Sequence, residues 1–224
     1  MKRYAVIGLG LLGRTVVREL TARGAEVVAV DMNQALVQEI ADEVTIAVRL
    51  DSTDREALVA QGINTVDAAL VAIGENFQAA VLTTAILKEL GVPRVVSRAM
   101  TEDEAKILKL VQADQVVLVE EWAARRLAQQ IMSPSLVEVV ELSPGMSVAK
   151  IETREEMWGK SLAELKFRQR YKLNVVAVVR TDPEDRAVSA TRMPDPDEVL
   201  GEGDILVVDG PDEAIERLAS GEAE

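Results

Sequence analysis

Apolar runs alternate with amphipathic stretches along the first 132 residues. The runs fall at 4–8, 27–31, 44–49, 68–73, 94–98 and 115–119. Between them, segments 12–23, 34–42, 54–61, 76–90, 102–111 and 121–132 place apolar residues at helical spacing. The runs are near-continuous rather than alternating, as expected of parallel strands covered on both faces. Repeated strand–helix units of this kind predict an α/β domain with a doubly wound parallel sheet. Ser133-Pro134-Ser135 ends the last helix, because proline cannot continue it. A different pattern follows: strands at 137–142, 147–153, 174–180 and 204–209, with helices at 160–169 and 211–219. A polar turn rich in Asp, Glu and Pro separates the last two strands. The pattern therefore predicts one domain over 1–134, a small α+β domain over 135–220, and an acidic tail at 221–224.

The first unit carries the candidate chemistry. Tyr4 to Ile7 lead into Gly8-Leu9-Gly10-Leu11-Leu12-Gly13, then a helix, then a second apolar run ending on Asp31. Strand, glycine turn, helix, strand and acid is the order of a Rossmann dinucleotide fingerprint. Gly8 permits a tight turn, Gly10 lets a phosphate approach the backbone, and Gly13 lets the helix pack on the sheet. The helix N-terminus offers free N–H groups to an anion. Asp31 lies 18 residues past Gly13, placed to accept ribose hydroxyls. The fingerprint predicts strand order 3-2-1-4-5-6, with a ligand over the strand C-termini. The bland alternative is a degenerate domain that keeps its glycines for packing alone.

Other loops at those C-termini add candidates. Asp51-Ser52-Thr53-Asp54 supplies a helix cap at Thr53 or Asp54, and Asp51 lies where an adenine amino group would fall. Ile73, Gly74, Glu75 and Asn76 follow the fourth strand; Gly74 allows close approach and Asn76 is a cap and a ligand candidate. Arg98 ends the fifth strand, either reaching phosphates or standing as a surface charge. The helix at 121–132 carries a stripe of Ala124, Leu127, Ala128 and Ile131. That stripe packs on its own sheet or docks on a second subunit.

Composition narrows the classes. The net charge of −13 disfavours nucleic acid, which needs a basic face. There is no cysteine and no histidine. Disulfides, thiolate metal sites and thiol catalysis are thereby excluded, and the commonest general acid–base residue is missing. No apolar run approaches a membrane span. The N-terminus reads as a strand entering a functional loop rather than a signal peptide, which predicts a cytoplasmic chain.

The chain resembles the RCK (regulator of conductance of potassium) family of the TrkA/Ktr type. The resemblance is carried by VIGLGLLG, VVAVD, Asp51-Ser-Thr-Asp54, AALVAIGENFQAAVLTTAILKELGV, KLVQADQVV, WGKSLAEL and GEGDILVV, and covers nearly the whole chain. It implies a regulator without a catalytic centre. The family assembles from dimers into octameric rings beneath a membrane-embedded potassium channel or transporter subunit. Its amino-terminal sheet binds NAD(H), ADP or ATP. The matching positions are Gly8, Gly10, Gly13, Asp31, Asn33, Asp51, Ile73, Gly74, Asn76 and Arg98, with Leu11, Leu12, Met32 and Ser52 flanking them. Glu120 matches a family carboxylate that can serve a nucleotide-associated divalent cation from a neighbouring subunit, although Glu121 is adjacent. ATP-type Ktr members carry an arginine where this chain has Leu11, a departure that weakens ATP specificity; Arg14, just past Gly13, points elsewhere on the helix. Some members bind cyclic di-AMP in the carboxy-terminal domain, for which Arg168 and Asn174 give only loose support. Two other functions stay open: a small NAD-dependent oxidoreductase, opposed by the missing histidine and the absence of a Tyr-x-x-x-Lys pair, and a free-standing nucleotide sensor with another target.

Overall fold

The computed structural model describes residues 2–133, 135–181 and 188–221. By packing, the chain divides into two compact units, Met1–Ala123 and Ala124–Glu224.

The first unit is built on six parallel strands: β1 (Arg3–Ile7), β2 (Glu26–Asp31), β3 (Ile46–Arg49), β4 (Ala68–Val71), β5 (Val95–Arg98) and β6 (Gln115–Val117). Their order is β3-β2-β1-β4-β5-β6, as the fingerprint predicts. The connecting helices are α1 (Leu11–Ala22), α2 (Gln34–Ile40), α3 (Arg55–Ala60), α4 (Phe77–Glu89) and α5 (Glu102–Leu110), and α6 (Val119–Met132) follows β6. The apolar strands are continuous because both faces are buried. Successive side chains point to opposite faces. Thus Ala5, Ile7, Val28 and Val30 pack with Leu58 of α3 and Leu87 of α4. Val6, Val27 and Ala29 pack with Val17 of α1 and with Val37 and Ile40 of α2.

Helix starts follow local chemistry. Asn33 caps α2, accepting from Ala35 N, and Asp54 caps α3, accepting from Glu56 N and Ala57 N. Asn76 caps α4 and Thr101 caps α5. Each cap satisfies an N–H that the helix itself leaves free. The adjacent threonines of α4 are buried and tie it to both sides: Thr83 Oγ1 lies 2.7 Å from Ser52 Oγ, and Thr84 Oγ1 2.9 Å from Ser97 Oγ. At the far end of β5, Asp114 accepts from Val95 N (2.6 Å) and Lys88 Nζ (2.8 Å), and these bonds, the lysine's first, hold its carboxyl below the usual carboxylate range.

The second unit is a five-stranded antiparallel sheet in the order β10-β9-β11-β8-β7. Its strands are β7 (Leu136–Ser143), β8 (Met146–Glu152), β9 (Asn174–Thr181), β10 (Val188–Arg192) and β11 (Ile205–Pro211). α9 (Asp212–Ser220) contributes Ile215 and Leu218 to its core, beside Ile151 and Leu206. The helix expected at 160–169 is instead two short turns, α7 (Leu162–Leu165) and α8 (Phe167–Arg170), separated by Lys166 at φ 52°. The reason is burial. Leu165 and Phe167 both enter the core, whereas residues two apart on a regular helix point in nearly opposite directions. The strand β10 alternates Val188, Ser189, Ala190 and Thr191 over only five residues, and it pairs with β9 with Ala190 opposite Val179. Part of the expected polar turn (182–187) and the tail beyond Gly221 lie outside the described residues. Arg168 Nε donates to Asn174 Oδ1 (2.7 Å), and Asn174 donates on to Asp209. Among the described residues, no helix is long and apolar enough to cross a membrane.

One position in the first unit tolerates no side chain. A Cβ at Gly13 would overlap the carbonyl oxygen of Gly8. Gly13→Ala is therefore expected to destabilise the first unit by about 2–3 kcal/mol through overpacking. Thermal unfolding of the full chain checks this; an unchanged midpoint would show that α1 shifts freely.

Candidate nucleotide cleft

The crossover between β1 and β4 opens a cleft of about 630 Å³ above the strand C-termini. The β1–α1 turn gives it Gly8, Gly10 and Leu11; the end of β2 gives Asp31, Met32 and Asn33. Asp51 and Ser52 come from the loop after β3, Ile73, Gly74 and Asn76 from the loop after β4, and Arg98 from β5. Leu12 and Gly13 do not line it. Gly13 is spent on the contact beneath Gly8, and Leu12 follows on the first turn of α1. Glu75, between two expected positions, also lines the cleft, as do the apolar residues Leu36 and Leu50. Their signal was their place in loops and on a helix face already facing the strand ends.

The three glycines of the turn do different things. Gly8 sits at φ 95°, and a Cβ there would come within 3.0 Å of the Ala72 and Ile73 backbone. Gly10 has an ordinary conformation (φ −63°, ψ −172°), and a Cβ there would meet no atom within 4 Å. Nothing inside the fold requires glycine at position 10. As the N-cap of α1, Gly10 also supplies no side-chain acceptor, unlike the caps of α2 to α5. The first N–H groups of α1 are thus left for whatever enters the cleft, together with the positive end of the helix dipole.

Asp31 braces this turn. Its Oδ2 accepts from Leu9 N (2.6 Å) and its Oδ1 from Asn33 N (2.7 Å). Each oxygen retains lone-pair capacity, so the carboxylate can also accept hydroxyl donors from a sugar. Asp51 Oδ1 accepts from Thr53 Oγ1 (2.7 Å) and Thr53 N (2.9 Å). The hydroxyl bond and then the backbone bond hold its carboxyl below the usual range, so it stays an anionic acceptor. Ser52 lines the cleft, but its hydroxyl is taken by Thr83. Asn76 Oδ1 accepts from Ala79 N at 3.0 Å, and Asn33 Oδ1 from Ala35 N at 2.9 Å. Both oxygens therefore serve the helices first.

Arg98 is the only lysine or arginine among the described residues lining the cleft. Its Nη2 donates to Glu120, at the start of α6. Arg14 is turned to Glu39 and does not line the cleft. Glu120 is the expected metal carboxylate, yet Arg98 engages it. No group of three or more Asp or Glu side chains suited to a metal occurs among the described residues. A nucleotide-borne divalent cation needs only one or two protein carboxylates beside its phosphates, and Glu120 would serve as one by sharing or leaving Arg98.

The comparisons agree with this architecture. A TrkA-N domain model matches residues 4–119 and a TrkA-C domain model matches residues 147–220. The Ktr system potassium uptake protein C of Bacillus subtilis (strain 168) is 38% identical over 217 residues, 97% of this chain and 96% of that protein. The Ktr system potassium uptake protein A of the same organism is 32% identical, covering 97% and 95%. The GsuK channel bound to NAD shares the fold, with a TM-score of 0.68 at 19% identity, over 100% of this chain and 40% of that one. Matched by both domain models and aligned end to end with two Ktr proteins, the chain belongs to the RCK family of the TrkA/Ktr type.

Proposed function

We infer that the cleft of the first unit holds an adenine nucleotide, and that its occupancy sets the state of a membrane-embedded potassium channel or transporter subunit. As a family member the chain is a regulatory subunit of potassium transport. The observation that carries the nucleotide reading is Gly10. Packing and backbone conformation leave its place open to any residue, whereas a phosphate resting on the α1 N-terminus needs the missing side chain. Asp31 then accepts the ribose hydroxyls and Asp51 the adenine amino group. Backbone at Gly8, Leu11, Ile73 and Gly74 lies along the phosphates, with Asn76 and Arg98 across from them.

The acidic lining favours NAD(H) or ADP over ATP. Asp31, Asp51 and Glu75 face a single arginine, and Leu11 supplies no charge. The GsuK channel of the same fold binds NAD, in keeping with this preference. The role is regulatory rather than catalytic: binding shifts a conformational equilibrium by the difference in affinity between two states. The chain works at the cytoplasmic face of the membrane, held there by its partner.

Assembly follows from α6. Trp122, Leu127, Ile131 and Met132 are 58–82% exposed on this helix, too much apolar surface to leave in water. A second copy of the chain covers them, and such dimers close into an octameric ring. Leu127→Asp with Ile131→Asp is expected to lower the assembly state in sedimentation while the monomer keeps its circular dichroism spectrum. Retention of the full assembly would place the contact elsewhere.

Two substitutions test the cleft. Gly10→Val is expected to abolish calorimetric binding of NAD+ and ADP without lowering the unfolding midpoint, since the new side chain meets open space. Normal binding by this variant would remove the phosphate from the turn. Asp31→Ala is expected to weaken nucleotide binding by about 1–3 kcal/mol, as for loss of charged hydrogen bonds. It also lowers the melting temperature, because Leu9 N and Asn33 N lose their acceptor. Unchanged affinity would mean that the ribose lies away from β2.

A further inference from the structure

The loop after β3 is fastened on both sides of Asp51. On one side, Leu50 N donates to Asp31 O (3.0 Å), a backbone bond to the end of β2. On the other, Ser52 Oγ lies 2.7 Å from Oγ1 of Thr83, a fully buried residue of α4. Between these anchors the Asp51 carboxylate accepts from Thr53, and Asp54 N closes the turn on Asp51 O (3.0 Å). The neighbouring Thr84 donates to Ala80 O (2.7 Å). A hydroxyl has a single hydrogen to give, so Thr84 accepts from Ser97 of β5. Two adjacent threonines thus fasten α4 to the sheet and the loop to α4. The backbone anchor at Leu50 is independent of side-chain identity, whereas the hydroxyl anchor at Ser52 depends on it.

We propose, resting on the nucleotide reading given above, that Thr83 is a positioning residue for base recognition: through Ser52 it fixes the loop that presents Asp51 to the adenine amino group. Thr83 stands behind the loop and does not line the cleft, so it needs no contact with the ligand. Hydrogen bonds weaken steeply as they bend, so a loop released at Ser52 loses its directed acceptor first. Phosphate and ribose are held elsewhere, by the α1 N-terminus and the Asp31 carboxylate, and neither hold passes through Ser52. Loss of the Thr83 hydroxyl therefore costs preference for the amino group rather than binding as a whole.

The test is calorimetry on the full chain with ADP and with purine riboside diphosphate, which is ADP without its amino group. Wild type is expected to prefer ADP roughly tenfold, as for one charged hydrogen bond. Thr83→Val keeps the shape and removes the hydroxyl; it is expected to cut that preference to about twofold by weakening ADP about fivefold. Ser52→Ala breaks the same link from the loop side, leaves α4 unaltered, and is expected to act alike. Thr83→Ser retains the hydroxyl and is expected to recover the preference. In an Asp51→Ala background, Thr83→Val is expected to change ADP affinity by less than about twofold, since the cycle isolates what passes through Asp51. A Thr83 that served stability alone would lower the unfolding midpoint and leave the ratio of the two affinities as in wild type. An unchanged ratio in both Thr83→Val and Ser52→Ala overturns the proposal while the nucleotide reading stands. So does a loss that Thr83→Ser fails to recover, or an equal loss of ADP affinity with and without the Asp51 carboxylate. A wild-type chain that binds both ligands equally removes base recognition by Asp51 and the proposal with it; one that binds neither overturns the nucleotide reading as well.

Discussion

The amino-terminal unit depends on a place where three backbone segments meet with no side chain between them. The turn at Gly8 touches the loop at Ala72 and Ile73, and Gly13 of α1 packs onto the Gly8 carbonyl. This contact sets how closely α1 lies on the sheet. It also fixes where the helix begins, and hence the direction in which its first N–H groups face. The Gly8 N–H donates to Val30 O (2.8 Å), so the turn is fastened to β2 as well. Asp31 completes the brace through Leu9 N. The cleft is therefore held open by backbone contacts around it rather than by side chains inside it.

Electrostatics then give the cleft its character. The macrodipole of α1 and one arginine supply its positive potential. The other charged side chains of the lining are the carboxylates of Asp31, Asp51 and Glu75, in line with a chain of net charge −13. Two of these acidic groups are tied down locally: Asp31 by two backbone N–H groups and Asp51 by Thr53. They are pre-set acceptors for hydroxyl and amino groups, the donors an adenosine offers. The phosphate side depends mostly on backbone, which tolerates only as much charge as one helix end and one shared guanidinium can offset.

Much of this was legible in the sequence. Continuous apolar runs gave the parallel strands, because only doubly covered strands are apolar at every position. The glycine spacing gave the strand order and the place of the cleft. Asp54 and Asn76 were readable as caps, since their side chains act on N–H groups two or three residues away. The second unit was harder. Lys166 in a left-handed conformation breaks a helix that periodicity alone predicts, and it does so to bury both Leu165 and Phe167. The short strand β10 carries its alternation over only five residues, too short a run to stand out beside a polar turn, and its pairing with β9 is what defines it.

What the chain settled by itself was local or periodic: element types, helix starts, the glycine turn with its acid, and family membership through contiguous motifs. What only the tertiary structure decided was how distant residues divide their bonding capacity. Gly13 and Gly10 are equivalent letters of one motif, yet one is filled by packing and the other faces open space. Ser52 lines the cleft but pairs its hydroxyl with that of Thr83, and Glu120 meets Arg98. Those pairs are separated by 31 and 22 residues. Spacing along a chain carries no information about which of several donors within reach a side chain will meet; folding brings them together, and geometry then chooses.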